Sequence, residues 1–128
     1  MPMGDPRGLA DRLEKRGLLA SGAAKGAFQA VDPGHFVLPR YRLLAYEDAP
    51  VPFHEGDSVG LVPSRRLAAT LLQLVGAGRE GSRILYGSEG GYLAALLRHL
   101  DPAHDLIIVE EEEELARTTA RNLARAGL

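Results

Sequence analysis

The chain has 128 residues, 45% hydrophobic and 25% charged, with 15 Lys+Arg against 17 Asp+Glu and a formal net charge of −2. These fractions exclude bulk disorder and fit one domain with a core of its own. The slight acidity excludes a nucleic-acid grip built on phosphate contacts. Cysteine is absent, which removes disulfides, thiol nucleophiles and thiolate metal sites and suits a cytoplasmic setting. No apolar run approaches the ~20 residues of a membrane helix, and the stretch Met1–Pro6 lacks the apolar core of a signal peptide.

Residues 7–20 read as an amphipathic helix, with Leu9 and Leu13 on one face and Gly17 as its stop. At such a terminus a loosely packed helix is the default expectation. Ser21 is placed to cap a second helix through Ala24, Phe28 and Val31, ended by Asp32-Pro33-Gly34. Residues 35–63 hold Pro39, Pro50, Pro52 and Pro63, which forbid a long helix; their short apolar runs suit a hairpin or an arm. Ser64 is a good N-cap for a helix through Leu67, Leu71, Leu72, Leu74 and Val75, closed by Gly76-Ala77-Gly78. Arg83–Tyr86 reads as a short buried strand, Gly87–Gly91 as a glycine-rich turn and Tyr92–Leu100 as a helix stopped by Asp101-Pro102. Asp105–Val109 is a second strand with the continuous apolar run of a parallel sheet. The last helix carries Leu115, Thr119 and Leu123 on one stripe, beside Ala116, Ala120 and Ala124. Strand, helix, strand in this order is a βαβ unit. The organisation is therefore a helical and irregular region, 1–63, followed by a unit that holds the βαβ motif, 64–128.

A strand that ends in glycines and opens a helix is a nucleotide-site signal. Gly87, Ser88, Gly90 and Gly91 are the candidate loop residues, and Glu110, at the end of the next strand, is the candidate acceptor for the two hydroxyls of a ribose. The bland alternatives are a turn that serves packing alone and, for Glu111–Glu114, charges that complement a helix dipole or face solvent. The dinucleotide fingerprint fails, because Glu89 occupies its second glycine position; a P-loop fails for want of Gly-Lys-Ser/Thr. An acid in the turn repels a pyrophosphate and tolerates a cationic ligand such as S-adenosylmethionine. His35, His54, His99 and His104 are scattered. They read as surface or turn residues rather than metal ligands, and no catalytic residue is assigned.

Three collinear stretches, Ala27–Val37 with Ala45–Pro52, Ile84–Leu97 and Ile108–Gly127, resemble protein-L-isoaspartate O-methyltransferases. Residues Ala27-Phe28-Gln29-Ala30-Val31-Asp32, His35-Phe36-Val37 and Ala45-Tyr46-Glu47-Asp48-Ala49-Pro50-Val51-Pro52 are similar to the family's "AF..V.R..FV" and "AY.D.PLPI" patterns. The run Ile84–Leu97 resembles its cofactor loop, "VLEIGTGSGYQAALL", and Ile108-Val109-Glu110 with Leu115, Ala116, Ala120, Asn122, Leu123 and Gly127 resembles "IE....L...A..NL...G". The resemblance implies an α/β, Rossmann-like methyltransferase fold, of which this is the first half with a helical N-terminal extension. It implies S-adenosylmethionine as cofactor and methylation of the α-carboxylate of isoaspartyl residues in peptides or proteins, a repair reaction.

The sequence departs from that pattern at four places. Tyr86 stands near a position where the family carries an acid, and Glu89 replaces the middle glycine. Leu61-Val62-Pro63 replaces a serine-containing "SQP" stretch, with Ser64 one position later. The chain stops at Leu128, after one βαβ unit, and two parallel strands make a poor sheet alone. A homo-oligomer, or a partner chain supplying the missing half, is expected from that open edge. A non-catalytic binding or assembly module, or a fragment of a longer enzyme, is the alternative reading.

Overall fold

The computed structural model describes residues 4–75, 82–103 and 105–128. The expected closure at Gly76-Ala77-Gly78 and His104 lie outside the described residues. The elements, in chain order, are helices α1 (Pro6–Lys15) and α2 (Gly22–Ala30), strands β1 (Val51–His54) and β2 (Gly60–Val62), helix α3 (Arg65–Val75), strand β3 (Arg83–Tyr86), helix α4 (Tyr92–Leu100), strand β4 (Leu106–Val109) and helix α5 (Glu113–Arg125). Short 3₁₀ turns occupy Pro33–Phe36, Pro39–Tyr46 and Glu89–Gly91.

Local chemistry sets most boundaries. The Asp5 carboxylate accepts from the Arg7 N–H, and Pro6, whose missing N–H costs nothing at a helix start, opens α1. The helix ends at Lys15 rather than reaching residue 20. Gly17 adopts a φ of 72°, its N–H bonds the Glu14 carbonyl and the Leu18 N–H returns to the Leu13 carbonyl, a Schellman closure. Leu9, Ala10 and Leu13 are buried, so this terminal helix is packed rather than loose. The Ser21 hydroxyl accepts from the Ala24 N–H and the Ser64 hydroxyl from the Leu67 N–H, as their positions predict.

In the proline-rich region β1 and β2 form an antiparallel hairpin, with Val51 opposite Val62 and an irregularity between Pro52 and His54. Strands β3 and β4 pair in parallel, from Arg83 opposite Leu106 to Tyr86 opposite Val109. Helix α4 crosses between them and is buried on every side from Tyr92 to Leu97. It packs against α2, α3 and β4. Phe28 and Phe36 meet Tyr92 at ring-centroid distances of 6.3 and 5.8 Å, in tilted or edge-on geometries that suit aromatic quadrupoles.

Three sequence expectations are corrected. Strand β3 is only half buried: Ile84 and Tyr86 are exposed, as are Ile107 and Val109 of β4, because only one face of the pair is covered. The buried stripe of α3 is Arg65, Ala68, Ala69 and Leu72, while Leu67 and Leu74 face outward. In α5 the expected stripe is present, with Leu115 and Thr119 buried and Leu123 against the core, but it widens to Thr118 and Asn122 while Ala120 and Ala124 are exposed. Both stripes keep helical spacing; what fixes their phase is the surface each helix lies on.

Candidate functional site

The turn after β3 is built by backbone conformation and by one carboxylate. Gly87 has a φ of 89° and continues the ladder, its N–H donating to the Val109 carbonyl at 2.8 Å. A Cβ added to Gly87 would meet nothing within 4 Å, so this glycine leaves open space beside the strand ends. Gly90 and Gly91, with φ of 72° and 92°, face the protein itself. A Cβ on Gly90 would lie 2.9 Å from Phe53 Cγ and 3.0 Å from the Phe36 carbonyl oxygen, and one on Gly91 3.0 Å from Leu123 Cγ. Their small size therefore serves close packing against β1 and α5.

Glu110 is where the strand-end reading places it, just past β4 and against the turn. Its Oε1 accepts from the Ser88 N–H at 3.1 Å and from the Ser88 hydroxyl at 2.6 Å, and its Oε2 accepts from the Glu112 N–H at 3.2 Å. Burial pushes its pKa up, but the Ser88 hydroxyl and the surrounding N–H groups outweigh this, and the carboxyl is held below its ordinary range. An ionised carboxylate offers about four acceptor positions. Three are engaged by Ser88 and Glu112, so a diol reaches Glu110 fully only by displacing the Ser88 hydroxyl.

Glu89 is the anomaly of the turn. It is a non-glycine residue at a φ of 49°, a left-handed conformation that L side chains adopt at a cost. Its Oε2 is buried and has no hydrogen-bond partner among the described residues, and burial raises its pKa.

The remaining candidates sort by position. Tyr86 is 80% exposed and does not plug the turn. Tyr92 is core: burial raises its pKa, and its ring lies under the Arg65 guanidinium and beside Phe28 and Phe36. Leu61 projects outward from β2, and the Ser64 hydroxyl is occupied as a helix cap.

Two features escaped the sequence reading. Asn122, 3% exposed, donates from Nδ2 to the carbonyls of Gly90 at 3.0 Å and Phe36 at 3.4 Å, tying α5 to the turn. The sequence marks Asn122 only as part of the family-like Asn122-Leu123 pair, with no sign of the carbonyls it bonds. The β1–β2 hairpin is clasped to the start of α5 by His54 with Glu114 and Thr118, and by the Ser58 hydroxyl donating to Glu112. Nothing in sequence spacing announces those long-range pairs.

A parallel βαβ unit behind a helical N-terminal region is the arrangement the family resemblance implied. A sequence model of the family described as protein-L-isoaspartate(D-aspartate) O-methyltransferase matches residues 6–128. The chain belongs to this family. Among its relatives, the protein-L-isoaspartate O-methyltransferase of Pyrobaculum arsenaticum is 34% identical over 121 residues, covering 93% of this chain and 57% of that protein. Protein-L-isoaspartate O-methyltransferase 1 of Archaeoglobus fulgidus is 35% identical, covering 93% of this chain and 54% of the relative. The chain thus spans just over half the length of these family members.

Solved structures of the family share the fold. A Plasmodium falciparum protein described as a protein-L-isoaspartate O-methyltransferase, crystallised with S-adenosyl-L-homocysteine, superposes with a TM-score of 0.76 at 22% identity, covering 95% of this chain and 56% of that one. A second protein-L-isoaspartate O-methyltransferase gives 0.75 at 23% identity. The α/β, Rossmann-like class read from the sequence is therefore the fold: one βαβ unit behind a helical N-terminal region. No helix among the described residues is long and apolar enough to cross a membrane.

Proposed function

We propose that residues 64–128 form the cofactor-binding unit, and residues 1–63 the N-terminal region, of a protein-L-isoaspartate O-methyltransferase acting on isoaspartyl-containing peptides or proteins in the cytoplasm. S-adenosylmethionine, held by the residues of the turn and Glu110, would supply a sulfonium-borne methyl group for transfer to an oxygen of the substrate α-carboxylate, the sulfur retaining the electron pair. A carboxylate is already nucleophilic, so this chain's task is alignment rather than proton removal. No catalytic residue is assigned.

The observation that carries the reading is the link between Ser88 and Glu110, which seats an ionised carboxylate against the turn that follows β3. The fit to the cofactor is supported by the open space beside Gly87 and by Glu89 Oε2, which has no partner among the described residues and which a cationic ligand would satisfy. In this reading Gly87 and Ser88 lie alongside the ligand, Gly90 and Gly91 hold the turn's shape, and Glu110 takes the ribose.

The test is calorimetric titration of S-adenosylmethionine and S-adenosylhomocysteine into the chain and into Glu110→Ala. Saturable binding weakened at least about tenfold in the variant, the loss expected for one charged hydrogen-bond acceptor, supports the site. Absence of heat with either ligand removes the cofactor reading. Methyl transfer to an isoaspartyl peptide then decides the activity.

A second reading, an assembly module, is favoured by one observation: Ile84, Tyr86, Ile107 and Val109 form an uncovered apolar face on the β3–β4 pair. A second copy or a completing partner chain would cover it.

A further inference from the structure

A cavity of about 320 Å³ opens between α1 and the start of α3, lined by Arg12, Arg16, Tyr46, Glu47, Asp48 and Arg65 among others. No residue of the glycine turn, nor Glu110, lines it. We propose that this cavity binds a small oxyanion, a carboxylate or a phosphate, through Arg65 with Arg12 and Arg16.

Arg65 motivates the assignment. Its side chain is fully buried, and a buried guanidinium is costly unless an anion or a full set of acceptors compensates it. Nη1 donates to the Ala45 carbonyl and Nη2 to the Pro63 carbonyl, and the Tyr92 ring lies 5.1 Å below. The Nε–H has no acceptor among the described residues, and no described carboxylate pairs with Arg65. Two neutral carbonyls and a ring face leave a net charge that burial disfavours, in keeping with the lowered pKa of this guanidinium.

Neither acid of the cavity bonds Arg65 directly, and Asp48 offsets its charge only through space. Asp48 faces other cations: its Oδ1 accepts from the Arg66 N–H at 2.9 Å, and its Oδ2 lies 3.5 Å from Arg66 Nε and 3.9 Å from Arg16 Nη1. Glu47 is exposed. Arg12 is anchored by one donor, Nη2 to the Tyr46 carbonyl at 2.9 Å, which holds the rest of its guanidinium at the cavity. Three guanidinium groups thus share the lining with two carboxylates, and one of those is shared with Arg66 outside it. The volume lies at the small end of the range for ligand sites, which suits an oxyanion rather than a nucleotide. Planar guanidinium forks match carboxylate and phosphate oxygens.

The experiment is titration of the chain with inorganic phosphate and, separately, acetate, at ionic strength held constant with sodium chloride, read by calorimetry and by ¹H–¹⁵N chemical shifts. Saturable one-site binding is expected, with shifts confined to α1, residues 46–48 and the start of α3. Response to phosphate alone or to acetate alone names the source; response to both assigns the shared chemistry. Arg16→Gln, at a half-exposed position, is expected to weaken binding about tenfold, and Arg65→Met to abolish it. Should Arg65→Met fail to fold, Arg16→Gln with Glu47→Gln decides: the first weakens and the second strengthens binding. No saturable response to either anion, or one that Arg16→Gln leaves unchanged, overturns the proposal.

Discussion

A methyl group added at Gly90 would meet Phe53 and a backbone carbonyl at 2.9–3.0 Å, in a left-handed backbone. Gly90→Ala is expected to cost about 3 kcal/mol, from left-handed strain and overpacking together. Gly87→Ala meets nothing and should cost only about 1 kcal/mol of strain. Urea unfolding of the two variants compares them, and equal losses would contradict the division of the turn into a packed and an open side. Glu89 carries a charge that burial disfavours. Its raised pKa means the folded state is penalised while the carboxyl is ionised, and the penalty disappears as pH falls through that raised value towards the ordinary carboxylate range. Glu89→Gln should therefore stabilise at neutral pH, by less than about 1 kcal/mol because solvent screens part of the charge. The gain should shrink on acidification; thermal melts across a pH series check both the sign and the trend.

At the level of elements, helix limits followed from short-range chemistry and helix faces did not. Ser21 and Ser64 were readable as caps because a cap needs only an oxygen and an N–H three residues away. The inward stripes of α3 and α5 are wider than the apolar residues alone suggest, because each helix also buries polar groups that find partners across the fold. Arg65 reaches the carbonyls of Ala45 and Pro63, and Asn122 those of Gly90 and Phe36. Asn122→Ala would strand the Gly90 carbonyl and loosen α5 from the turn. A loss of about 2 kcal/mol is expected, with faster amide exchange at Ser88–Gly91 as its specific signature; unchanged exchange there would show that α5 does not hold the turn.

Among the described residues, one core gathers side chains from α1 through α5, and one face of the β3–β4 pair is left bare. Ile84, Tyr86, Ile107 and Val109 are 52%, 80%, 49% and 38% exposed on the same side of the parallel pair. Burying such a face stabilises through the hydrophobic effect. The chain is expected to self-associate with rising concentration, and Ile107→Lys is expected to shift it back towards monomer. Sedimentation velocity reads this directly, and a single monomeric species throughout the series would rule it out.

By itself the sequence determined the order of strand, turn, helix and strand, the caps, the fold class and the family, because these rest on spacing of a few residues or on motifs carried along the chain. It also placed Gly87, Ser88 and Glu110 at adjoining strand ends. Tertiary structure alone decided that Gly90 and Gly91 press on Phe53 and Leu123, that Glu110 is already bonded by Ser88, that Glu89 Oε2 is buried with no partner among the described residues and that Arg65 lies fully buried. Each of those depends on which distant surface a side chain meets, and chain separation erases that from local pattern. A cap is a bond between near neighbours; a counterion, a cavity or a packed glycine is set by residues tens of positions away.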